Sequence, residues 1–457
     1  MALDVSEQRL DATRQRWVSA CVLCGVALSS LDSAVANIAL PTIARQLVTT
    51  DASTIWVVNG YQLSSAACLL PAAALGEILG LKRVYLFGLI VFMLSSMACA
   101  LAPSIDVLVA ARIAQGVGGS CMAALGAALI RAIYPRDRVG HGLALVALSV
   151  ALSGAAGPTV GAFVLSVASW SWLFMINVPF CFVAVIIFAT MAPAGTPSPR
   201  RFDWTGAVLS AAALSALILG VDSFGARAHG MAVAEVAAGV AGFALLFRLQ
   251  IGRAAPLLPL DLLRIPLFTL SLGTSICSYA AQIIAYVSLP FLFQVDMHRS
   301  AIAAGLLITP WPLLVAAAAP VAGRLGIRYP ASLLSSVGLV ALAAGLFLLA
   351  VMPEVPADWN IGWRMALCGV GFGFFQTPNN TTIMTVGPLH RAGAAGGMLA
   401  VARVLGWCLG SALVGFIFAV KGPGGSTISL LVAGSFATVG AIASASRLFA
   451  GTPRAAG

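Results

Sequence analysis

Apolar residues fill the chain in runs of roughly twenty to thirty, and short polar breaks separate them. A helix needs about 20 consecutive apolar residues to cross a hydrocarbon core. The runs lack the strict two-residue alternation of half-buried strands and are too long for them. The pattern predicts fourteen membrane-length helices, at 17–40, 53–75, 84–102, 106–133, 140–166, 171–193, 204–222, 231–249, 267–293, 301–323, 331–352, 361–386, 393–420 and 426–448. Proline and glycine inside the runs fit this reading, because neighbouring helices can satisfy the backbone groups they free.

The segments divide as six, two and six. The expected organisation is a tail at 1–16, a six-helix bundle at 17–193, a linker with two further helices at 194–265, a second bundle at 266–448 and a tail at 449–457. Two six-helix halves around a central connection are expected of alternating-access transporters built from repeats. Similarity of sequence between the halves is weak, so the repeat rests on the count of segments.

Composition excludes an ordinary soluble domain. Of 457 residues, 60% are hydrophobic and 9% charged, against about 25% charged in soluble domains. The net charge of +10 sits in short loops rather than on one basic domain, which argues against nucleic acid. Eighteen of the 25 Lys and Arg fall at loops and segment ends on the N-terminal side. Only Arg45, Arg227, Arg299 and Lys421 fall opposite, and Arg112, Arg364 and Arg403 stay within segments. By the positive-inside rule both termini are cytoplasmic. The mixed charges Asp4, Glu7 and Asp11 and the length of the first run argue against a cleaved signal peptide. The nine cysteines lie within apolar runs and read as structural thiols. Trp17, Trp56, Trp170, Trp172, Trp204 and Trp363 fall near segment ends and read as interface anchors.

Against that background Asp32 is the costly residue. It is the only acid or base in the first run and lies ~22 Å from its start, past mid-membrane. A charge there costs about 2.5–3.5 kcal/mol on insertion scales. Such a group is retained where it faces a cavity, pairs with a cation or carries a proton. Arg112 lies in the fourth run within Arg112-Ile-Ala-Gln115-Gly-Val-Gly-Gly119, where Gln115 and the glycines suggest a closely packed, cavity-facing helix rather than an outward-reaching arginine. Arg403 is ~15 Å into the thirteenth run, too deep to reach the interface. The twelfth run carries the polar string Gln376-Thr-Pro-Asn379-Asn380-Thr-Thr382, a candidate cavity lining. Asp222 and Glu235 read as interfacial, Glu235 near a helix start where the dipole suits an acid.

Several strings carry a family resemblance. The loop after helix 2, Ala73-Ala-Leu-Gly76-Glu77-Ile-Leu-Gly80-Leu-Lys82-Arg83, resembles the signature G-x-L-x-D-x-x-G-x-K/R-R. The helix 4 string resembles R-x-x-Q-G-x-G. Ser153-Gly-Ala-Ala-Gly157-Pro158-Thr-Val-Gly161-Ala162 resembles the helix 5 antiporter signature G-x-x-x-G-P-x-x-G-G. Leu31-Asp-Ser-Ala-Val-Ala-Asn-Ile-Ala-Leu-Pro41 resembles L-D-x-T-V-V-N-V-A-L-P, Trp170-Ser-Trp-Leu-Phe-Met-Ile-Asn-Val-Pro179 resembles W-R-W-x-F-x-I-N-x-P, and Asp203-Trp-Thr-Gly206 resembles the entry to helix 7. The ordered set is similar to that of the major facilitator superfamily, and within it to the fourteen-helix drug:proton antiporters. Departures fall in the helix 2–3 loop, where Ala73, Glu77 and Leu81 replace Gly, Asp and a base, and at Ser153, Ala162 and Ser171. The second half's counterpart of that loop, Gly323-Arg-Leu-Gly-Ile-Arg328, lacks the acid.

The resemblance implies an all-α integral membrane protein of two six-helix bundles plus a central helix pair. It implies proton-coupled export of drugs or other small amphipathic molecules across a bacterial inner membrane, by a monomer, with the proton gradient as energy source and no cofactor or metal. Carried onto this chain, Asp32 is the expected proton site and Arg112 its electrostatic modulator. Arg403, Gln376, Asn379 and Asn380 join the expected pathway. Gly157, Pro158 and Gly161 form the antiporter motif, and Gly76, Glu77, Gly80, Lys82 and Arg83 the cytoplasmic gating loop. A dedicated metabolite exporter or importer with a neutral or anionic substrate is the alternative, and a non-transporting sensor or scaffold a remote one. No phosphate-binding loop, metal cluster or nucleophile–base pair points to an enzyme.

Overall fold

Caps, glycines and prolines decide where each apolar run becomes a helix and where it ends. The computed structural model describes residues 11–135, 139–193, 203–225, 229–250, 260–353, 356–386, 392–422 and 424–448, and among these the secondary structure is helical, without strands. The first half holds α1 (Ala12–Gln46), α2 (Asp51–Leu79), α3 (Leu81–Ala100), α4 (Ile105–Ile133), α5 (Val139–Val167), α6 (Ser171–Met175) and α7 (Asn177–Met191). A hairpin of α8 (Trp204–Gly225) and α9 (His229–Gln250) follows, then the short α10 (Leu260–Leu263). The second half holds α11 (Pro266–Phe291), which runs on into a π-turn at Leu292–Asp296, α12 (Ala301–Ile308), α13 (Pro310–Leu325), α14 (Ala331–Ala350), α15 (Asp358–Thr385), α16 (Ala392–Lys421) and α17 (Gly425–Ser446). Among the described residues nine helical stretches are long and apolar enough to cross a membrane.

Local chemistry explains the boundaries. Thr50, Ser104 and Ser300 cap α2, α4 and α12, each hydroxyl accepting from the backbone N–H three residues on. Gly80, at φ 96°, turns the chain from α2 directly into α3. Pro310 opens α13 just after α12 ends. The segments expected at 171–193 and 301–323 are therefore each two helices in line, broken at Ile176 and at Thr309. α1 begins at Ala12, so the last residues of the expected 1–16 tail are helical; residues 1–10 and 449–457 lie outside the described residues. The loops at 194–202 and 251–259, within the expected linker, also lie outside them.

Glycine sets the closest helix contacts, and it does so twice in the same way. A Cβ on Gly116 of α4 would lie 2.4 Å from Tyr61 O on α2, and one on Gly118 would lie 2.6 Å from Phe92 N and 2.7 Å from Gly88 O on α3. In the second half a Cβ on Gly369 of α15 would lie 2.3 Å from Trp311 O on α13, and one on Gly371 would lie 2.5 Å from Leu342 N and 2.6 Å from Gly338 O on α14. Gly157 and Gly161 of α5 close on Ala34 and Ile38 of α1. Gly406 and Gly410 of α16 close in the same spacing on Tyr279 and Ile283 of α11. These paired contacts place two similarly built bundles side by side, a repeat the sequence shows only as a count of segments. The α8–α9 hairpin lies at their seam, with α8 against both α2 and α16.

The halves meet through α1 and α5 against α11, α12 and α13, and through α2 against α16. Gln294 in the π-turn donates to Ile38 O at 2.9 Å, and the hydroxyls of Thr159 and Thr309 are 2.7 Å apart. Large apolar side chains such as Phe87, Phe163, Phe182, Val340 and Ile442 point outward, as a lipid-facing surface requires. Trp17, Trp172, Trp204 and Trp363 are exposed, consistent with interface anchors. Trp170 is a correction: it is buried, edge-on to Phe174 at 6.2 Å, because the short α6 turns it into the core.

Candidate functional site

Three helices converge on Asp32. It sits on α1 with 3% exposure and faces Arg112 of α4, itself 1% exposed, so the pair is shut away from solvent. Arg112 Nη1 donates to Asp32 Oδ2 in a direct ion pair. The other carboxylate oxygen accepts from Gln115 Nε2 at 3.0 Å and from Asn177 Nδ2 at 2.8 Å. Asn177 is the first residue of α7, and the break at Ile176 brings its amide inward. Every oxygen of the carboxylate thus has a donor, which a buried charge requires.

The arginine is held as closely as the acid. Nε donates to Val57 O at 2.9 Å, and Nη1 also donates to Gln115 Oε1 at 2.6 Å. The guanidinium carbon lies 4.4 Å from the centroid of Tyr61 and 5.4 Å from that of Phe174, within cation–π range. Gln115 is tied in turn to Ser96 Oγ at 2.8 Å. The i, i+3 spacing of Arg112 and Gln115 puts both on one face of α4. Gly116 and Gly118 let that helix approach α2 and α3 closely enough for Tyr61, Val57 and Ser96 to reach the pair.

Asn177 and Tyr61 are partners that sequence reasoning did not single out. Asn177 was visible only as the Asn of Ile176-Asn-Val-Pro179, where it reads equally well as a helix-start residue. Gln115 carried a signal, a polar amide one turn from an intramembrane arginine.

The polar string of the second half divides. Asn379 is fully buried: Nδ2 donates to Ser275 Oγ at 2.8 Å and Ser271 O at 3.2 Å, and Oδ1 accepts from Arg447 Nη1 at 2.7 Å. Arg447 also donates to Ser271 Oγ at 2.8 Å and to Ser444 Oγ. This arginine, which the sequence places at an outlying segment end, is buried and ties α17 to α11 and α15. Gln376 donates to Tyr279 OH at 3.2 Å, and Asn380 has a buried Oδ1 without a partner. Arg403 is half-buried on α16, with its guanidinium 5.4 Å from the Trp407 ring. The structure does not bring Arg403, Gln376, Asn379 or Asn380 into the Asp32 cluster.

The motif residues serve packing. Gly157 and Gly161 seat α5 on α1, and the carbonyl of Pro158 faces Gly305 of α12. Gly76 faces Leu125 of α4, Lys82 donates to Ala192 O at 2.8 Å past the end of α7, and Arg83 is exposed. The side chains of Glu77 and Asp222 lie outside the described residues. Glu235 accepts from Ser223 Oγ at 2.6 Å across the hairpin. Among the described residues no group of three or more His, Cys, Asp or Glu is placed to hold a metal ion.

This architecture has known counterparts. The chain is 45% identical to the uncharacterized transporter YebQ of Escherichia coli (strain K12), over 93% of this chain and 94% of that one. It is 30% identical to the multidrug resistance protein Stp of Mycobacterium tuberculosis, covering 86% and 74%. It is 26% identical to the riboflavin transporter RibZ of Clostridioides difficile, covering 89% of each. Its fold matches the crystal structure of a POT family transporter in complex with a thioalcohol-conjugated peptide, at a TM-score of 0.70 and 13% identity over 93% of this chain and 94% of that one. The Major Facilitator Superfamily model matches residues 22–411. The chain is therefore a multi-pass membrane protein of a transporter family, not an enzyme, and it belongs to the Major Facilitator Superfamily.

Proposed function

We propose that this protein is a fourteen-helix, proton-coupled exporter of a bacterial inner membrane, with both termini cytoplasmic. It expels small amphipathic organic molecules by alternating access. The observation that carries the proposal is the Asp32 cage, a buried carboxylate held by Arg112, Gln115 and Asn177 from two other helices. While Asp32 is ionised the cage joins α1 to α4 and α7. A proton on Asp32 removes the counter-charge of Arg112 and turns one acceptor oxygen into a donor, so the cage must re-form. That makes one carboxyl both the proton carrier and the clamp between helices, which is what coupling by alternating access needs. On the sidedness that the basic residues predict, the contacts of Gln294 with Ile38 and of Thr159 with Thr309 lie toward the external ends of their helices.

The test is efflux of a panel of amphipathic dyes from proteoliposomes under an imposed pH gradient. Wild-type efflux should follow the gradient, and Asp32→Asn should lose gradient-driven transport while still eluting as a folded protein. Efflux that ignores the gradient, with Asp32→Asn fully active, sinks the coupling. A second reading, a dedicated metabolite transporter with an anionic or neutral substrate, is favoured by Arg403, a deep cation with no acid beside it among the described residues.

A further inference from the structure

Three arginines, Arg112, Arg364 and Arg403, lie away from the loops and segment ends, and their circumstances differ. Arg112 is neutralised by Asp32. Arg364, near the start of α15, donates to Leu348 O at 2.7 Å. Arg403 has no hydrogen bond or ion pair among the described residues, and its Nε is buried without an acceptor. Its guanidinium lies 5.4 Å from the Trp407 ring, one turn along the same helix.

The faces of α16 show where Arg403 points. Gly406 and Gly410 lie against α11, while Val404, Cys408 and Ala412 belong to the apolar cluster shared with α2. Leu409 is turned outward. At about 100° per residue, Arg403 and Trp407 fall between the α11 face and the α2 face, on the side away from Leu409. Trp407 continues there into an aromatic wall. Its ring is 6.1 Å from that of Tyr279, edge-on, and Tyr279 is in turn 5.7 Å from Phe372 and 6.4 Å from Phe375. Gln376 holds the Tyr279 hydroxyl.

Among the described residues no acid of the second half pairs with this cation. Matching the glycine contacts of the two halves puts Cys277 of α11 in the place of Asp32, Met365 of α15 in the place of Arg112 and Cys368 in the place of Gln115. A guanidinium at this depth without a counter-ion is costly, and its planar donor fork suits a carboxylate. We propose that Arg403 and Trp407 form a substrate subsite for a planar aromatic carboxylate, the acid group on the guanidinium and the ring on the Trp407–Tyr279 wall. This deepens the transporter reading by naming a substrate class, and it rests on that reading but not on proton coupling.

Calorimetric binding of three probes with one ring system to the purified full-length protein tests it: naphthoate, naphthylmethanol and naphthylmethylammonium. Naphthoate should bind at least about tenfold more tightly than the ammonium compound, with the alcohol between them. Arg403→Gln should erase that order. Arg403→Lys, the variant that keeps the charge, should retain it with weaker binding. Trp407→Leu should weaken all three in parallel. Equal or tighter binding of the ammonium or alcohol probe, an order unchanged in Arg403→Gln, or no saturable binding to the wild type overturns the subsite. Because binding needs no gradient, a protein that binds naphthoate through Arg403 yet ignores a pH gradient sinks proton coupling alone.

Discussion

At the scale of single residues, a buried ion pair does not by itself stabilise a fold. Desolvating two charges cancels much of their attraction, but removing one partner strands the other. Arg112 is the clearest case, since its loss would leave Asp32 with only the amides of Gln115 and Asn177. Arg112→Ala should therefore destabilise the protein by about 3–5 kcal/mol. Asn177→Ala removes one donor to a charged acceptor and should cost about 1.5–3 kcal/mol. Thermal unfolding in detergent checks both, and an Arg112→Ala protein as stable as wild type would show that the pair carries no structural weight. Asp32 and Arg112 were legible in the sequence because ionised side chains are expensive at membrane depth, and Gln115 because it lies one turn from Arg112. Asn177 and Tyr61 were not, because Asn at a helix start and Tyr in an apolar run are ordinary residues. Only the break between α6 and α7 and the glycine-lined approach of α4 to α2 bring them to the pair. Arg447 misled for the converse reason: a basic residue near a segment end reads as a loop charge until its neighbours Asn379 and Ser271 are known.

At the scale of helices, apolar periodicity shows that a segment crosses the membrane but not where it bends or what it touches. The expected runs at 171–193 and 301–323 are each two helices, and in both a proline stands at or just after the break, at Pro179 and Pro310. The glycines of the helix 5 string look alike in sequence, yet they differ in space. A Cβ on Gly157 would lie 2.3 Å from Ala34 Cβ and one on Gly161 2.4 Å from Ile38 Cγ2, whereas Gly154 has nothing within 4 Å. Gly157→Ala and Gly161→Ala should therefore push α5 off α1 and cost about 1–3 kcal/mol each. Gly154→Ala, in open space inside a helix, should be neutral or stabilising by about 0.5–1 kcal/mol. Melting temperatures of the three variants decide it, and equal losses at all three positions would mean that helix flexibility, not the α1–α5 contact, is what the string provides.

At the scale of the whole molecule, the count of segments suggested two related halves, but the sequences have diverged too far to align by eye. The relationship survives in backbone contacts, where only glycine fits: Gly116 and Gly118 answer to Gly369 and Gly371, and Gly157 and Gly161 to Gly406 and Gly410. Chemistry has not been kept in step with packing. One half holds the caged carboxylate, while the other holds Arg403 and an aromatic wall. If the halves rock as bodies, the contacts that must break are those at the shared end: Gln294 to Ile38 O, Thr159 to Thr309, and Gly305 on Pro158. The threonine hydroxyls are 2.7 Å apart and join α5 to the last residue before α13, so a pair of cysteines there would meet across the seam. With the nine native cysteines replaced, Thr159→Cys combined with Thr309→Cys should form a disulfide under oxidation and lose transport in proteoliposomes. Reductant should restore transport, and the oxidised protein should still bind naphthoate, because neither threonine belongs to the Arg403–Trp407 subsite. Undiminished transport by fully cross-linked protein would mean that this end need not part, and that the halves do not exchange access by rocking about the site between them.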